Sequence, residues 1–292
     1  MRAEIDDFIS RQALPEHYRD LIDQYVQPLA DWIDGNLSQQ QGGILGINGA
    51  QGTGKSTLAA TLKLLLEGRD GWRIAVLSID DFYLTRRERE RLAADIHPLL
   101  GTRGVPGTHD VLLMARILDQ LRGLPAGKSL SLPRFEKSHD DRVPESQWGS
   151  VTGPLDLVIF EGWCVGSPPQ ADAALQDAVN SLERERDPQG AWRGFVNEQL
   201  AGPYADVFSR LDKLVFLQAP DFDAVFRWRL EQERKLTQGT AVMDDAEIAE
   251  FLRHYERLTR ANLQHMPNVA DVVLELDRDH RCVASYYRDP AS

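Results

Sequence analysis

The sequence predicts an α/β fold in which a central, mainly parallel sheet of five strands is flanked by helices. Short apolar runs alternate with helix-like segments, and several of the runs are apolar almost throughout, as expected for strands covered on both faces. The predicted strands are GILGIN (43–48), RIAVLSID (73–80), LDLVIF (155–160), KLVFLQ (213–218) and DVVLEL (271–276). The predicted helices cover residues 55–67, 110–122, 172–186, 221–236 and 244–263.

The ends of the chain and its long connections indicate how it is organised. Residues 1–40 are expected to form a helical lead-in, with LIDQYVQPLADWI broken by Pro28. Residues 41–292 are expected to form the main domain, with loops at 95–145, a helical insertion at 167–210 and a helical segment at 221–240. LLGTRGVPGTHD (99–110) and PRFEKSHDDRVP (133–144) are rich in turn-forming and charged residues. Loops of such length in a compact domain are usually functional or disordered.

The composition is that of an ordinary soluble globular protein with an acidic balance. Of the 292 residues, 42% are apolar and 27% are charged, and the formal net charge is −12. Affinity for polyanions comes largely from clustered positive charge, so this balance argues against a general nucleic-acid or anionic-membrane binder. A small anionic ligand needs only a local cluster of cations and is compatible with it.

The sequence carries no signal for secretion, membrane insertion or zinc binding. MRAEIDDFIS is acidic early and lacks an apolar core, and no run reaches roughly 18 consecutive apolar residues. A cytoplasmic protein is therefore expected. Cys164 and Cys282 make no disulfide framework, and the seven histidines show no metal-ligand spacing.

Residues 49–56, GAQGTGKS, fit the phosphate-binding pattern G-x-x-x-x-G-K-[ST] between an apolar run and a predicted helix. Glycines let backbone N–H groups approach phosphate oxygens, and the helix start adds unpaired N–H groups and the positive end of its dipole. Lys55 is expected to reach the β- and γ-phosphates, and the Ser56 hydroxyl to bind Mg²⁺. The predicted fold is therefore a P-loop NTPase sandwich. Its predicted nucleotide-binding residues are Gly49, Ala50, Gln51, Gly52, Thr53, Gly54, Lys55, Ser56 and Thr57.

Acidic residues follow two further predicted strands. IAVLSIDDFYLT carries Asp80 and Asp81, and LDLVIFEGW carries Glu161. A carboxylate at the end of a strand beside the P-loop strand faces the crevice where α/β sheets bind ligands. There Asp80 could orient an acceptor hydroxyl and take its proton, or help hold Mg²⁺, although both aspartates could instead cap a turn. Glu161 resembles a Walker B carboxylate, which holds Mg²⁺ directly or through water.

The predicted helix FDAVFRWRLEQERKL carries Arg227, Arg229 and Arg234. One interpretation is a surface helix with i,i+4 ion pairs such as Arg227 with Glu231. The other is a mobile lid, residues 221–240, whose arginines act catalytically by stabilising charge on the transferring phosphoryl group, which can be worth roughly 10³–10⁵ in rate. The spacing does not decide between them.

The order of these motifs resembles the small-molecule P-loop kinases that include uridine kinase, pantothenate kinase and phosphoribulokinase. In that family the first aspartate of a D-x-F-[YL] segment is the catalytic base, which implies this role for Asp80. The chain is more closely similar to plant-type D-glycerate 3-kinases and their fungal and bacterial relatives, over roughly residues 40–276. That resemblance implies transfer of the γ-phosphoryl of ATP to the 3-hydroxyl of D-glycerate, with Mg²⁺. It is carried by GINGAQGTGKST, LSIDDFYLT, HPLLGTRGVPGTHD, LPRFEKSHDDR, FEGWCVG, VNEQLAGPYADVF and FRWRLEQERKL.

The charged loops supply candidates for binding a small carboxylate. A planar guanidinium binds a carboxylate through two parallel hydrogen bonds, so Arg103 and Arg142 are candidate clamps, although either could be a solvated loop charge. The oligomeric state, the adenine contacts, the phosphorylated position and the role of residues 170–210 stay open. The full predicted acceptor set is Asp80, Tyr83, Arg103, His109, Lys137 and Arg142.

Three alternatives remain. The acceptor could be a nucleoside or a pantothenate-like molecule, for which Phe82, Tyr83 and Phe135 could offer an aromatic platform. The chain could be an ATP-binding switch protein without an acceptor, although Asp80 and the charged loops argue against this. GWCVG (162–166) resembles a nucleophile elbow with Cys164 as nucleophile, but the prolines of SPPQ (167–170) do not suit the helix that must follow. Cys164 is better explained as a small packing residue.

Overall fold

The computed structural model describes residues 2–15, 17–38, 40–236 and 245–288, without the side chains of residues 232–236 and 245–246. The central sheet has six strands in the order β10-β9-β8-β1-β7-β2. All neighbouring pairs are parallel except β9 and β10. The predicted α/β class and parallel sheet are confirmed. The strands are β1 Gly43–Gly49, β2 Ile74–Ser78, β7 Leu157–Gly162, β8 Lys213–Gln218, β9 Val272–Leu276 and β10 Cys282–Tyr287.

The prediction of five strands is wrong by one, because β10 was not foreseen. Cys282 is its one buried residue, and Val283 and Tyr286 are exposed. An edge strand of this kind lacks the continuous apolar run by which the other five strands were found. Four short strands also form two hairpins outside the main sheet, where β3 pairs with β6 and β4 with β5. These strands are β3 Ser129–Leu132, β4 Phe135–Glu136, β5 Asp141–Arg142 and β6 Gly149–Thr152.

The helices lie on both sides of the sheet, and their number exceeds the prediction. The predicted helix at 172–186 is instead a 3₁₀ turn, Asp172–Leu175, followed by a separate helix that begins where the Asn180 side chain accepts a hydrogen bond from the Glu183 amide. Short π-helical turns, Ile22–Val26 and Leu200–Tyr204, interrupt two helical stretches. The α-helices are α1 Arg2–Arg11, α2 Tyr18–Leu21, α3 Gln27–Leu37, α4 Lys55–Asp70, α5 Arg86–Asp95, α6 Val111–Arg122, α7 Ser181–Arg186, α8 Ala191–Gln199, α9 Ala205–Phe208, α10 Phe222–Leu236 and α11 Asp245–His265.

The lead-in is helical, as predicted, but Pro28 does not break it. α2 runs through the π-helical turn directly into α3, and Pro28 is the second residue of α3. The π-helical turn directly before α3 interrupts the i→i−4 hydrogen-bond ladder, which accommodates a proline that has no N–H to donate. α3 packs on α4, so the lead-in lies behind the P-loop helix.

Two apolar cores cover the two faces of the sheet. Leu45 and Ile47 of β1 pack with α3 and α4 on one face, whereas Ile44 packs with α6 and α11 on the other. This alternation follows from the twofold side-chain period of a strand. The carboxyl ends of β1, β2 and β7 meet at one edge of the sheet, which is where the predicted site residues lie.

Candidate active site

The P-loop connects β1 to α4. Gly52 and Gly54 have φ angles of 81° and 88°, a left-handed conformation that favours glycine. Gly54 precedes the first residue of α4, which is Lys55. Both the Thr53 hydroxyl and Lys55 Nζ donate to the Ala50 carbonyl, each over 2.9 Å. The predicted phosphate-binding segment is thus a tight loop closed by its own lysine and threonine.

Ser56 and Glu161 form the next part of the cleft. Ser56 Oγ donates to Glu161 Oε1 over 2.9 Å, and Glu161 is 5% exposed. Glu161 pairs in register with Ile47 of β1 and Ser78 of β2, close to the ends of both strands. Burial lowers the pKa of Lys55, against the opposing effect of the Glu161 and Asp80 carboxylates. The two predicted metal-binding carboxylates therefore lie close enough to the P-loop lysine to act on its charge.

Asp80 lies in a short 3₁₀ turn, Ile79–Phe82, that follows β2. Its carboxylate accepts hydrogen bonds from Lys137 Nζ over 2.6 Å and from the Tyr83 hydroxyl over 3.0 Å. Burial alone would raise the pKa of Asp80, but the Lys137 ammonium, with a smaller contribution from the Tyr83 hydrogen bond, holds it below the usual value. Asp80 is therefore ionised at neutral pH, as a proton acceptor must be.

Asp81 has a different environment, although it is the next residue. Its carboxylate accepts a hydrogen bond from the Phe135 amide over 3.2 Å. Burial, with a smaller effect of the Asp80 charge, raises the pKa of Asp81 to about 6, in spite of that hydrogen bond. Asp81 thus connects the turn to the β4–β5 hairpin, whereas the carboxylate of Asp80 accepts the hydrogen bonds from Lys137 and Tyr83.

His109 is buried against Tyr83 and Tyr204. Its ring stacks on Tyr83 with centroids 4.4 Å apart, and Nδ1 lies 2.6 Å from the Tyr204 hydroxyl. The Tyr204 hydroxyl also accepts a hydrogen bond from the Gly107 amide, and His109 Nε2 is buried without a hydrogen-bond partner among the described residues. Burial lowers the pKa of His109 to about 3, so at neutral pH it adds no positive charge to an acceptor site. The place of His109 in the predicted acceptor set stays a prediction, with a neutral side chain.

The two candidate arginine clamps are already held by the chain. Arg142 donates to the Tyr83 carbonyl over 2.9 Å and to Asp110 Oδ2 over 3.2 Å, and its side chain is 14% exposed. Arg142 therefore braces the turn that carries Asp80, and its guanidinium is not presented to the cleft. Arg103 bonds to Asp140, and its guanidinium lies 5.6 Å from the centre of the Phe135 ring. Of the three predicted acceptor-site cations, Lys137 is the one that lines the cleft, and its side chain is 63% exposed.

The predicted lid arginines separate in the structure. Arg229 lines the cleft of about 390 Å³ beside the P-loop, together with Lys55, Lys137 and Glu161. Arg227 is exposed and lies outside the lining of that cleft. The side chain of Arg234 and the lid residues 237–240 lie outside the described part of the protein.

Other residues of the cleft were missed by the sequence analysis. Trp228 is 2% exposed and stacks on His280 with centroids 4.1 Å apart. His280 lies in the turn between β9 and β10 and, with Glu231, lines the same cleft. Its φ of 62° marks a tight turn, and DRDHR (277–281) is a turn-like sequence, but no periodicity relates it to the P-loop. Tyr204, the partner of His109, lies within VNEQLAGPYADVF, but the sequence analysis assigned it no role in the site.

Cys164 does not have the geometry of a nucleophile. It is fully buried in a turn after β7 with no helix directly behind it, and burial raises the pKa of its thiol far above the usual range. Such a thiol is inert, because only the thiolate is nucleophilic. Cys164 belongs to the core on one face of the sheet, as expected for a packing residue.

Proteins with similar sequences include kinases from a yeast and a plant. The chain is 37% identical over 251 residues to the uncharacterized kinase mug58 of Schizosaccharomyces pombe, which covers 80% of this chain and 88% of that protein. It is 34% identical over 220 residues to the chloroplastic D-glycerate 3-kinase of Arabidopsis thaliana, which covers 73% of this chain but only 46% of that protein. The chain thus spans about half the length of the plant enzyme.

A solved structure supports the same assignment. D-glycerate 3-kinase from Cryptococcus neoformans superimposes with a TM-score of 0.77 and 25% identity, covering 91% of this chain and 99% of that one. No model of a known protein family matches the chain. No helix among the described residues has the length and apolarity needed to cross a membrane. The chain belongs to the family of P-loop kinases that contains the Schizosaccharomyces kinase and has D-glycerate 3-kinases among its members.

Proposed function

We propose that the protein is an ATP- and Mg²⁺-dependent kinase that phosphorylates the 3-hydroxyl of D-glycerate. The observation that carries the proposal is the position of the ionised Asp80 carboxylate, paired with Lys137 and close enough to act on the P-loop Lys55. A base, an acceptor-binding cation and a phosphate-binding lysine thereby occupy one edge of the sheet. The choice of D-glycerate is supported by relatives that bear this name in a plant and a fungus.

The P-loop residues fit a nucleoside triphosphate and its metal ion. A Cβ placed on Gly54 would have no atom within 4 Å, so the backbone here is open to a ligand. Ser56 and Glu161 offer the oxygen donors that Mg²⁺ prefers, and Mg²⁺ takes only one or two protein carboxylates when phosphates and water supply the rest. When bound, Mg²⁺ supplies charge neutralisation on the phosphate oxygens. Lys55 and the loop amides would hold those phosphates in line with the acceptor.

Asp80 would act as the base. Asp80 follows β2, which β7 separates from the P-loop strand β1, and an acceptor hydroxyl held near Asp80 would approach the γ-phosphate from this edge of the sheet. The Tyr83 hydroxyl and Lys137 Nζ each donate to it and fix its orientation. An oriented, ionised carboxylate can accept the hydroxyl proton as the phosphoryl group is transferred.

Lys137 would bind the acceptor carboxylate, with Arg103 behind it. Both cations reach aspartates of the same region, Lys137 bonding to Asp80 and Arg103 to Asp140. The exposed ammonium of Lys137 can exchange one carboxylate partner for another at little cost, because exposed ion pairs contribute only about 0–1 kcal/mol. A substrate carboxylate taking Lys137 would free an Asp80 oxygen for the hydroxyl proton. Arg229 at the cleft would stabilise the transferring phosphoryl group.

The test is an ADP-release assay with Mg-ATP and the acceptors D-glycerate, uridine, pantothenate, ribulose 5-phosphate or none. D-Glycerate alone should stimulate ADP release strongly, and phosphorus NMR of the product should show 3-phosphoglycerate. Stimulation by another acceptor would contradict the choice of substrate and leave the kinase assignment intact. Acceptor-independent hydrolysis only would favour a switch protein. The cytoplasmic location and the division into a lead-in, residues 1–40, and a kinase domain, residues 41–292, stay predictions.

A further inference from the structure

A second cavity adjoins the phosphate cleft and has no role in the proposed phosphoryl transfer. It has a volume of about 270 Å³ and lies between the P-loop, the sheet and the segment that joins α1 to α2. Gly52, Gly54, Thr57 and His280 line both cavities, so the two are contiguous around the P-loop. A ligand with its phosphates in the cleft could therefore extend into this cavity.

The lining of this cavity is mainly apolar, with polar groups at its rim. Leu217 of β8 and Leu274 and Leu276 of β9 form its sheet side. Asp279 and His280 add polar groups from the β9–β10 turn. A mostly apolar pocket with a few placed polar groups suits a flat heteroaromatic ring, which needs apolar faces and hydrogen-bonding edges.

The lead-in supplies the remaining wall of the cavity. Leu14 and Tyr18 line it, and the Tyr18 hydroxyl forms a 3.0 Å hydrogen bond with Thr61 Oγ1. Thr61 is completely buried on α4, one helical turn beyond Thr57. The lead-in is thus fixed to the P-loop helix itself, beside the residues that would hold the phosphates.

We propose that Leu14, Tyr18 and Leu21 form the outer wall of the base pocket of the nucleotide, with the purine ring lying between this wall and the leucines of β8 and β9. The inference rests on the proposed nucleotide site, and it gives the lead-in a part in choosing the nucleotide. The lead-in would then act as a specificity element as well as a structural support for α4.

Photolabelling of the full chain with 8-azido-ATP tests the location of the base. The label is expected on the tryptic peptide of residues 12–19, which contains Leu14 and Tyr18, or on residues 271–282 of the β9–β10 region, and excess ATP should suppress it. ATP-suppressible label confined to other peptides would overturn the proposal.

A substitution separates the base pocket from the phosphate site. Leu14→Gln should weaken ATP binding about fivefold, through lost apolar contact, and leave inorganic tripolyphosphate binding unchanged. The matched control is Leu112→Gln on α6, where the leucine is 82% exposed. If Leu14→Gln binds ATP and tripolyphosphate as tightly as the unmodified chain does, the lead-in does not form a wall of the base pocket. The proposed phosphate site would not be affected by this result. Failure of the unmodified chain to bind both ATP and tripolyphosphate would refute the proposed function together with this inference.

Discussion

Lys137 Nζ lies 2.6 Å from Asp80 Oδ2, although the two residues are 57 positions apart in the sequence. Asp80 is the second residue of the turn that follows β2, whereas Lys137 lies between β4 and β5 in the charged loop region. This contact joins the proposed base to the proposed acceptor-binding cation. It makes the ionisation of Asp80 depend on a lysine whose side chain is itself 63% exposed.

Replacing the base should stop turnover without preventing nucleotide binding. Asp80→Asn keeps the side-chain shape but removes the proton acceptor, and loss of such a group costs about 10²–10⁴ in rate. We expect kcat to fall by this factor while the Kd for ATP, measured by calorimetry, changes little. The control is Asp81→Asn, whose amide oxygen can still accept the hydrogen bond from Phe135. Asp80→Asn with wild-type turnover would exclude Asp80 as the base.

Replacing the cation should alter the pH profile as well as the rate. Lys137 holds the pKa of Asp80 down against burial, so in Lys137→Met the pKa of Asp80 should rise. Less of the base is then ionised at acid pH, and the acid limb of kcat/KM should move to higher pH. KM for D-glycerate should also rise at least about tenfold, because the carboxylate loses its ion-pairing partner. Lys128→Met, at an exposed lysine in the β3 turn, is the control. An unshifted acid limb would show that Lys137 does not govern Asp80.

Asp81 should make stability depend on pH in a predictable direction. Its folded-state pKa of about 6 lies above the ordinary value of 3.8, so the folded protein binds its proton more tightly than the unfolded chain does. The contribution of Asp81 to stability is therefore present at low pH and lost as pH rises through 6. In thermal unfolding, the Tm of Asp81→Asn relative to the wild type should increase from pH 5 to pH 7.5, since Asn does not ionise. A Tm difference that is constant over this range would contradict the raised pKa.

The Arg257–Glu183 pair should hold α7 to α11. Arg257 donates to both Glu183 oxygens over 2.7 Å, and the two side chains are 9% and 0% exposed. Removing one partner of a buried pair typically costs about 3–5 kcal/mol, because the other charge is left buried. Arg257→Met should lose stability of this order in urea unfolding. Arg253→Met, in a half-exposed pair with Glu250, should lose less than about 1 kcal/mol. An equal decrease in the free energy of unfolding in both variants would show that burial does not determine how much the Arg257–Glu183 ion pair contributes to stability.

The features that could be predicted from the sequence are those that depend on short, continuous stretches of residues. The P-loop pattern, the apolar strands and Asp80 all depend on residues that are close together in the sequence. β1, β2, β7, β8 and β9 are buried on both faces, so their apolar runs were sufficient to locate them.

The remaining features depend on contacts between distant segments. Arg142 seemed a ligand clamp because its type and loop setting suited a carboxylate, yet its partners are the Tyr83 carbonyl and Asp110. The neutral state of His109 follows from burial against Tyr204, 95 residues away, which no local pattern reveals. The cavity wall at Leu14 likewise requires the packing of the lead-in on α4.

Trp228 packs α10 against the P-loop. A Cβ on Gly52 would lie 2.9 Å from Trp228 Cβ, and on its other side the indole stacks on His280, so the helix is wedged against the P-loop at this point. The last residue of α10, Leu236, is eight positions further, or about 12 Å along the axis. Because Trp228 contacts Gly52 on one side and His280 on the other, the position of α10 is tied to the shape of the P-loop and of the β9–β10 turn.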